Sequence, residues 1–292
     1  MHYAIYAPTF NDFGSPERLL ELAEQAEAAG YDAFFIWDHL ILSPGRPFAI
    51  LDATVMLGAL ARATRRMRLG AMVTPLARRR PWKFAKEMVT LDHLSDGRVI
   101  CGVGLGEPAE LEFGAFGEAR RERAARLDEG LALFDGLVRG EQVTHRGTHY
   151  ALECVQLAPA ARQTPRMPVW VAACLPARAG VERAVRWDGL FPVRLPSPVC
   201  LSVRPSALEW RDWWLRPDEM AALRDAVMEL RGSVDEFALV ASGRVCELAS
   251  DAARARVRSY AEAGANWWCE WVDEAPGSFA RTLERIRRGP PR

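Results

Sequence analysis

The feature that most constrains this chain is an alternation: short runs with strand character are followed, again and again, by stretches with helical period. The pattern predicts strands over His2–Thr9, Ala33–Asp38, Met67–Val73, Arg98–Val103, Pro168–Ala173, Gly189–Val193, Phe237–Val245 and Ala265–Val272. Helices fall between and after them, the first over Ser15–Ala29, with Ser15 as N-cap, Pro16 at the first helical position and Gly30 closing it. Runs such as RVICGVG are apolar on both faces, which suits parallel strands covered on both sides. Eight strand–helix units in 292 residues match one closed (β/α)₈ TIM barrel, a single domain over residues 1–292. A doubly wound open sheet would want fewer units and a Gly-rich fingerprint at its first turn, which is absent. Two segments interrupt the rhythm. His145–Leu157 reads as a hairpin or loop excursion after strand four. The Pro- and Trp-rich stretch Arg194–Pro217, after strand six, is too long for a plain connection and reads as an insertion or lid.

Charge and cysteine usage exclude several classes. Lys+Arg and Asp+Glu both number 38, and a net charge of zero argues against nucleic acid or an anionic membrane as the main partner. The six cysteines show no CxxC or CxC spacing, so neither a zinc site nor a redox pair is signalled, in keeping with a reducing compartment. The opening MHYAIYAPTF lacks a secretory pattern and no run reaches transmembrane length. A soluble, cytoplasmic protein is the expectation.

In such a barrel the active site lies at the C-terminal ends of the strands. These ends carry Phe10, Trp37-Asp38-His39, Met72-Val73-Thr74, Gly104-Leu105-Gly106-Glu107 and Ala172-Ala173-Cys174. A histidine and two carboxylates (His39, Asp38 and Glu107) at one mouth suit proton transfer, because imidazole titrates near neutral pH. Each also has a plainer reading, His39 as a capped loop residue and Glu107 as a solvated turn carboxylate. The turn GVGLGEP is no Walker loop and fits GxGxxG incompletely, so its glycines either face a ligand or serve unusual dihedrals. The run Arg78-Arg79-Arg80 is either a solvated helix start or a dock for an anionic tail. His145 and His149 have a helical spacing but no third ligand in sight, which disfavours a metal. Trp210, Trp213 and Trp214 are a packing cluster or an apolar wall against substrate. With Phe10 and Trp37 they point to a partly hydrophobic substrate.

Several blocks in order resemble the luciferase-like monooxygenase superfamily: AEQAEAAGYDAFFIWDHL, then RLGAMVTPLARRRPWKFAKEMVTLDHLSDGRVICGVGLG, then PVWVAA and ERAVRWDGLFPV. The resemblance covers roughly Met1–Val193, with an echo in AEAGANWWCEWV. It implies a barrel oxidoreductase using FMN or the deazaflavin coenzyme F-420, either in monooxygenation with reduced FMN or in hydride transfer with the deazaflavin. It places Asp38 and His39 at the cofactor ring, with His39 in acid–base chemistry. Met72, Val73 and Thr74 would prop the ring from behind, often through a non-proline cis peptide, and Gly104 and Gly106 would approach it. Glu107 matches the proton-donating Glu of the F-420-dependent sugar-phosphate dehydrogenases. Ala172-Ala173-Cys174, with Arg178, would cradle the phosphate, although relatives commonly carry Gly-Gly there. No reductase or NAD(P)H motif is visible, so reduced FMN would come from a separate flavin reductase, and pairing as a homodimer is implied. A non-catalytic flavin- or ligand-binding barrel is the alternative. A metal-dependent barrel hydrolase is disfavoured by the scattered histidines.

Overall fold

A computed structural model describes residues 1–42, 48–194 and 213–292. In chain order the strands are β1 (His2–Ala7), β2 (Ala33–Ile36), β3 (Arg68–Ala71), β4 (Thr74–Pro75), β5 (Cys101–Gly104), β6 (Val143–Arg146), β7 (Ala151–Val155), β8 (Val169–Leu175), β9 (Gly189–Arg194), β10 (Ala238–Gly243) and β11 (Trp267–Trp271). The helices are α1 (Pro16–Ala28), α2 (Ala53–Ala63), α3 (Pro81–Ser95), α4 (Ala109–Glu112), α5 (Arg123–Val138), α6 (Arg178–Ala184), α7 (Pro217–Arg231), α8 (Ser250–Glu262) and α9 (Phe279–Ile286).

Nine strands pair side by side in parallel, in the order β3-β2-β1-β11-β10-β9-β8-β5-β4. A parallel bridge between Leu69 and Val99 joins the two ends, so the sheet closes into the expected barrel. The third barrel strand is not the continuous run Met67–Val73 that the sequence predicts. It is split, with β3 pairing to β2 and β4 pairing to β5 on either side of a cis peptide between Met72 and Val73. The excursion after strand four is the antiparallel hairpin β6–β7. Glu129 of α5 holds it by accepting the backbone N–H of His149 and Tyr150 at 3.0 and 2.8 Å. Most of the stretch expected after strand six, including Trp210, lies outside the described residues.

The local signals act as read. Ser15 Oγ accepts the Arg18 N–H at 3.4 Å and Gly30 leaves α1 at φ +90°; the structure adds a second cap, Asp52, which accepts the Val55 N–H at 2.9 Å. Period-two alternation then sorts the apolar side chains into two layers. Tyr3, Ile5, Phe34 and Ile36 pack outward under the helices, whereas Ala4, Tyr6, Phe35 and Trp37 fill the lumen. The lower lumen is plugged by rings: Trp170 lies 5.0 Å from Trp267 and 5.5 Å from Phe35, centroid to centroid. No helix among the described residues is long and apolar enough to cross a membrane.

One buried carboxylate secures the loop after β10. Glu270 accepts the N–H of Val245 (2.7 Å) and Cys246 (2.9 Å) and the Trp268 indole (2.8 Å). Burial pushes its carboxyl above the ordinary range while those hydrogen bonds pull it down. Glu270→Ala orphans three buried donors at about 1–3 kcal/mol each, so urea denaturation should show a loss of about 3 kcal/mol or more. Because the folded protein binds that proton more tightly than the unfolded chain, its contribution is full at low pH and fades through the raised value. Wild type should therefore lose ground to Glu270→Gln as pH rises above the ordinary carboxylate value of about 4 and through the raised one.

Candidate functional site

The strand ends that the sequence singles out do converge on one mouth. Its floor is aromatic. Tyr6 packs at 5.0–5.6 Å from Trp37, Phe191 and Trp271, and Phe10 and Trp214 close in beside them. Phe10 and Trp37 are thus buried parts of this floor, and Trp214 joins the packing rather than standing off as a separate wall. The Tyr6 hydroxyl donates to the carbonyl of Met72 at the cis peptide. Burial pushes its phenol well above the ordinary value, so it stays a donor.

The glycines after strand four answer a packing demand. A Cβ on Gly102 would collide with Ala71 O, and one on Gly104 would lie 2.5 Å from Val73 Cγ2. Gly106, at φ +77°, backs onto Pro75 and Phe113. Of the two readings of GVGLGEP, the unusual dihedral holds for Gly106, whereas Gly102 and Gly104 serve a third need, close approach of strand four to the offset in strand three. Gly104 also brings Ala172 to this point, 3.4 Å from the same Cβ position. Val73, Ala172 and Val193 remain half-exposed while packing on the aromatic floor, which gives the mouth an apolar rim. Thr74 is buried behind it.

The charged residues form a buried relay. His39 Nδ1 lies 2.7 Å from Glu112 Oε1, the histidine side chain 22% exposed and the glutamate fully buried. The other oxygen of Glu112 pairs with Arg78 Nη1. Arg78 Nη2 reaches Asp38 Oδ1 at 2.9 Å, and Arg79 Nη2 reaches Asp38 Oδ2 at the same distance. Arg79 goes on to Glu87 at 3.5 Å. Burial pulls the Arg78 guanidinium down from its usual value, and Asp38 pulls it back up.

This corrects two expectations. Asp38 is a buried clamp for two arginines rather than a side chain turned to the mouth. Arg78 and Arg79 are neither a solvated helix start nor open to an anionic tail, because their charges are already answered inside the protein. Arg80 lies over the Trp82 ring at 5.9 Å. Glu112 was missed by sequence reasoning. It ends a helix of four residues, too short for a period, and only the pairing of acids on one strand end with arginines on the next hints at it.

Glu107 stands where expected but is engaged: Arg123 Nη1 lies 3.0 Å away, and its other oxygen accepts the Ala109 N–H. Cys174 is a neutral thiol, pushed up to about 11 by burial and by the Glu107 carboxylate. At the expected cradle β8 runs on to Leu175, and Ala173 packs against Gly180 of α6. Arg178 opens that helix and pairs on the surface with Glu182 at 2.9 Å. A cleft of about 730 Å³ opens beside it, bordered also by Arg194, Leu215 and Leu223. His145 is bound to Glu129 at 3.0 Å, and no cluster suited to a metal occurs among the described residues.

Two buried donors beside the floor, the Trp214 indole and the Ser242 hydroxyl, have no hydrogen-bond partner among the described residues. An apolar rim with unanswered donors suits a flat ring bearing carbonyl oxygens. Residues 1–198 match the profile of the luciferase-like monooxygenases. The chain belongs to that family. A relative from Nakamurella multipartita, an F420-dependent glucose-6-phosphate dehydrogenase, is 31% identical over 236 residues, covering 79% of this chain and 67% of that one. The chain spans about half the length of several other such relatives. Among solved structures, the coenzyme F420 dependent tetrahydromethanopterin reductase of Methanopyrus kandleri superposes with a TM-score of 0.76 at 14% identity, covering 99% of this chain and 98% of that one. An FMN-bound type II Baeyer–Villiger monooxygenase component from Pseudomonas putida gives 0.59 at 18% identity, covering 83% and 65%. Both likenesses show the fold.

The clamp makes a sharp contrast between two acids. Asp38→Ala leaves buried guanidinium groups uncompensated and should cost about 3–5 kcal/mol in urea unfolding. Glu107→Ala removes a partly exposed pair and should cost about 1 kcal/mol or less. Equal losses would sink the clamp.

Proposed function

We propose that the chain, acting as one domain over residues 1–292, is a flavin-type oxidoreductase working on a small, partly apolar organic molecule. The observation that carries this reading is the mouth itself: an apolar rim of Val73, Ala172 and Val193 laid over aromatic rings, with the buried-partnered His39 at its edge. Met72, Val73 and Thr74 would back the ring, the Trp214 and Ser242 donors would meet its oxygens, and the cleft beside Arg178 would take its anionic end. The bound group supplies an electron pair, as hydride in a deazaflavin or for oxygen in reduced FMN. The protein's own residues do the rest. The floor would exclude water from one side of a bound ring, the rim of Val73, Ala172 and Val193 would hold it, and His39 would hold or move a proton.

Of the two cofactors, the relatives named for F420 and the Gly106-Glu107 pair favour the deazaflavin. Should FMN be the occupant, a separate flavin reductase completes the system, because the chain carries no NAD(P)H motif. Pairing of two copies through the second and third barrel units belongs to the same reading, as does a cytoplasmic site of action.

Titration with coenzyme F-420 and with FMN, followed by absorbance and fluorescence, should show saturable binding of the deazaflavin, with FMN weaker. If neither binds, the reading fails. Binding without turnover on any alcohol or carbonyl substrate would instead favour a non-catalytic flavin-binding barrel. With a turned-over substrate, His39→Ala should keep cofactor affinity within a few-fold and lower kcat by about 10²–10⁴.

A further inference from the structure

We infer that Glu112 is a positioning residue that fixes which nitrogen of His39 carries the proton: its carboxylate takes the Nδ1–H and leaves Nε2 as the ring's proton-accepting atom. The inference rests on the reading of His39 as the proton-handling group of the mouth.

Three observations carry it. The first is the pairing itself. Nδ1 stands 2.7 Å from Oε1 of a carboxylate with no exposure to solvent, and an ionised carboxylate only accepts, so the ring nitrogen facing it must donate. The second is that Glu112 is not free to turn away. Its second oxygen is taken by Arg78, which is locked in turn by two contacts to Asp38, one to the carbonyl at 3.3 Å and one to the carboxylate at 2.9 Å. Arg79 closes the far side of Asp38. The third is charge. Around the pair stand Glu112 from α4, Asp38 after β2, and Arg78 and Arg79 from the turn before α3, with Glu87 of α3 and Asp52 before α2 farther out. Glu112 is already balanced by Arg78, so its position does not depend on an imidazolium. A proton on Nδ1 satisfies the remaining oxygen of Glu112. A base whose orientation is set by a buried carboxylate behind it is a recurring solution in proton-transfer sites.

A merely structural ion pair would affect stability and leave the ring's tautomer alone, so the tautomer is the quantity to measure. In ¹⁵N spectra of histidine-labelled, unliganded protein near neutral pH, the His39 signals are assigned by their loss in His39→Gln. Wild type should show a protonated Nδ1 and an unprotonated Nε2. Glu112→Gln is close to isosteric, and its amide oxygen is claimed by the buried Arg78 guanidinium. The amide nitrogen must then donate to Nδ1, so the proton should move to Nε2. Glu112→Asp, which restores the charge, should return the wild-type tautomer. With coenzyme F-420 and a turned-over substrate, Glu112→Gln should lower kcat by about tenfold or more while cofactor affinity stays within about threefold, and Glu112→Asp should recover part of the loss. A wild-type proton on Nε2, or an unchanged tautomer in Glu112→Gln, overturns the inference. Full turnover by His39→Ala overturns the proton-handling reading instead, whatever the tautomer.

Discussion

The arrangement of the mouth depends on a buried chain of opposite charges that crosses three strand ends. Asp38 leaves the second barrel strand, Arg78 and Arg79 follow the third, and Glu112 lies just beyond the fourth. Each charge is desolvated, and each is tolerable only because the next one answers it. Such a chain is a poor source of net stability but a strict constraint on geometry. None of the three connections can shift alone without exposing a partner, and His39 inherits that rigidity through Nδ1.

Beneath the charges, shape does comparable work. The third strand cannot run straight, since its first half pairs with β2 and its second half with β5. Strand four accommodates the offset only because Gly102 and Gly104 leave room for Ala71, Met72 and Val73. The same offset delivers the Met72 carbonyl to Tyr6 and leaves the Val73 side chain half-exposed at the rim. The tight packing of strand four and the partial exposure of Val73 at the rim are therefore one feature.

Most of the architecture was legible in the residues. Alternating apolar periods placed all eight barrel strands, and Ser15 and Gly30 punctuated the first helix through ordinary capping chemistry. The split in the third strand was not legible as a break in pairing, because Met67–Val73 reads as one β-rich run and nothing local says that its neighbours change midway. In the site, the Met72–Val73 cis peptide stands where the resemblance put it, and His39 is found paired with a buried carboxylate. The roles of Asp38, Arg78 and Arg79 were misjudged from their polarity, since three consecutive arginines ordinarily face water. Glu112 was invisible for a related reason: the second of two glutamates in PAELEF betrays its burial only once an arginine 34 positions earlier is known to point at it.

The stacked rings low in the lumen have a consequence for traffic. With Phe35, Trp170 and Trp267 corking the axis, the barrel works as a cup rather than a pipe. Should the proposed ring and a substrate share this cup, neither would pass through the plugged end of the lumen, and both would be handled on the mouth side of a plug far from any reacting atom.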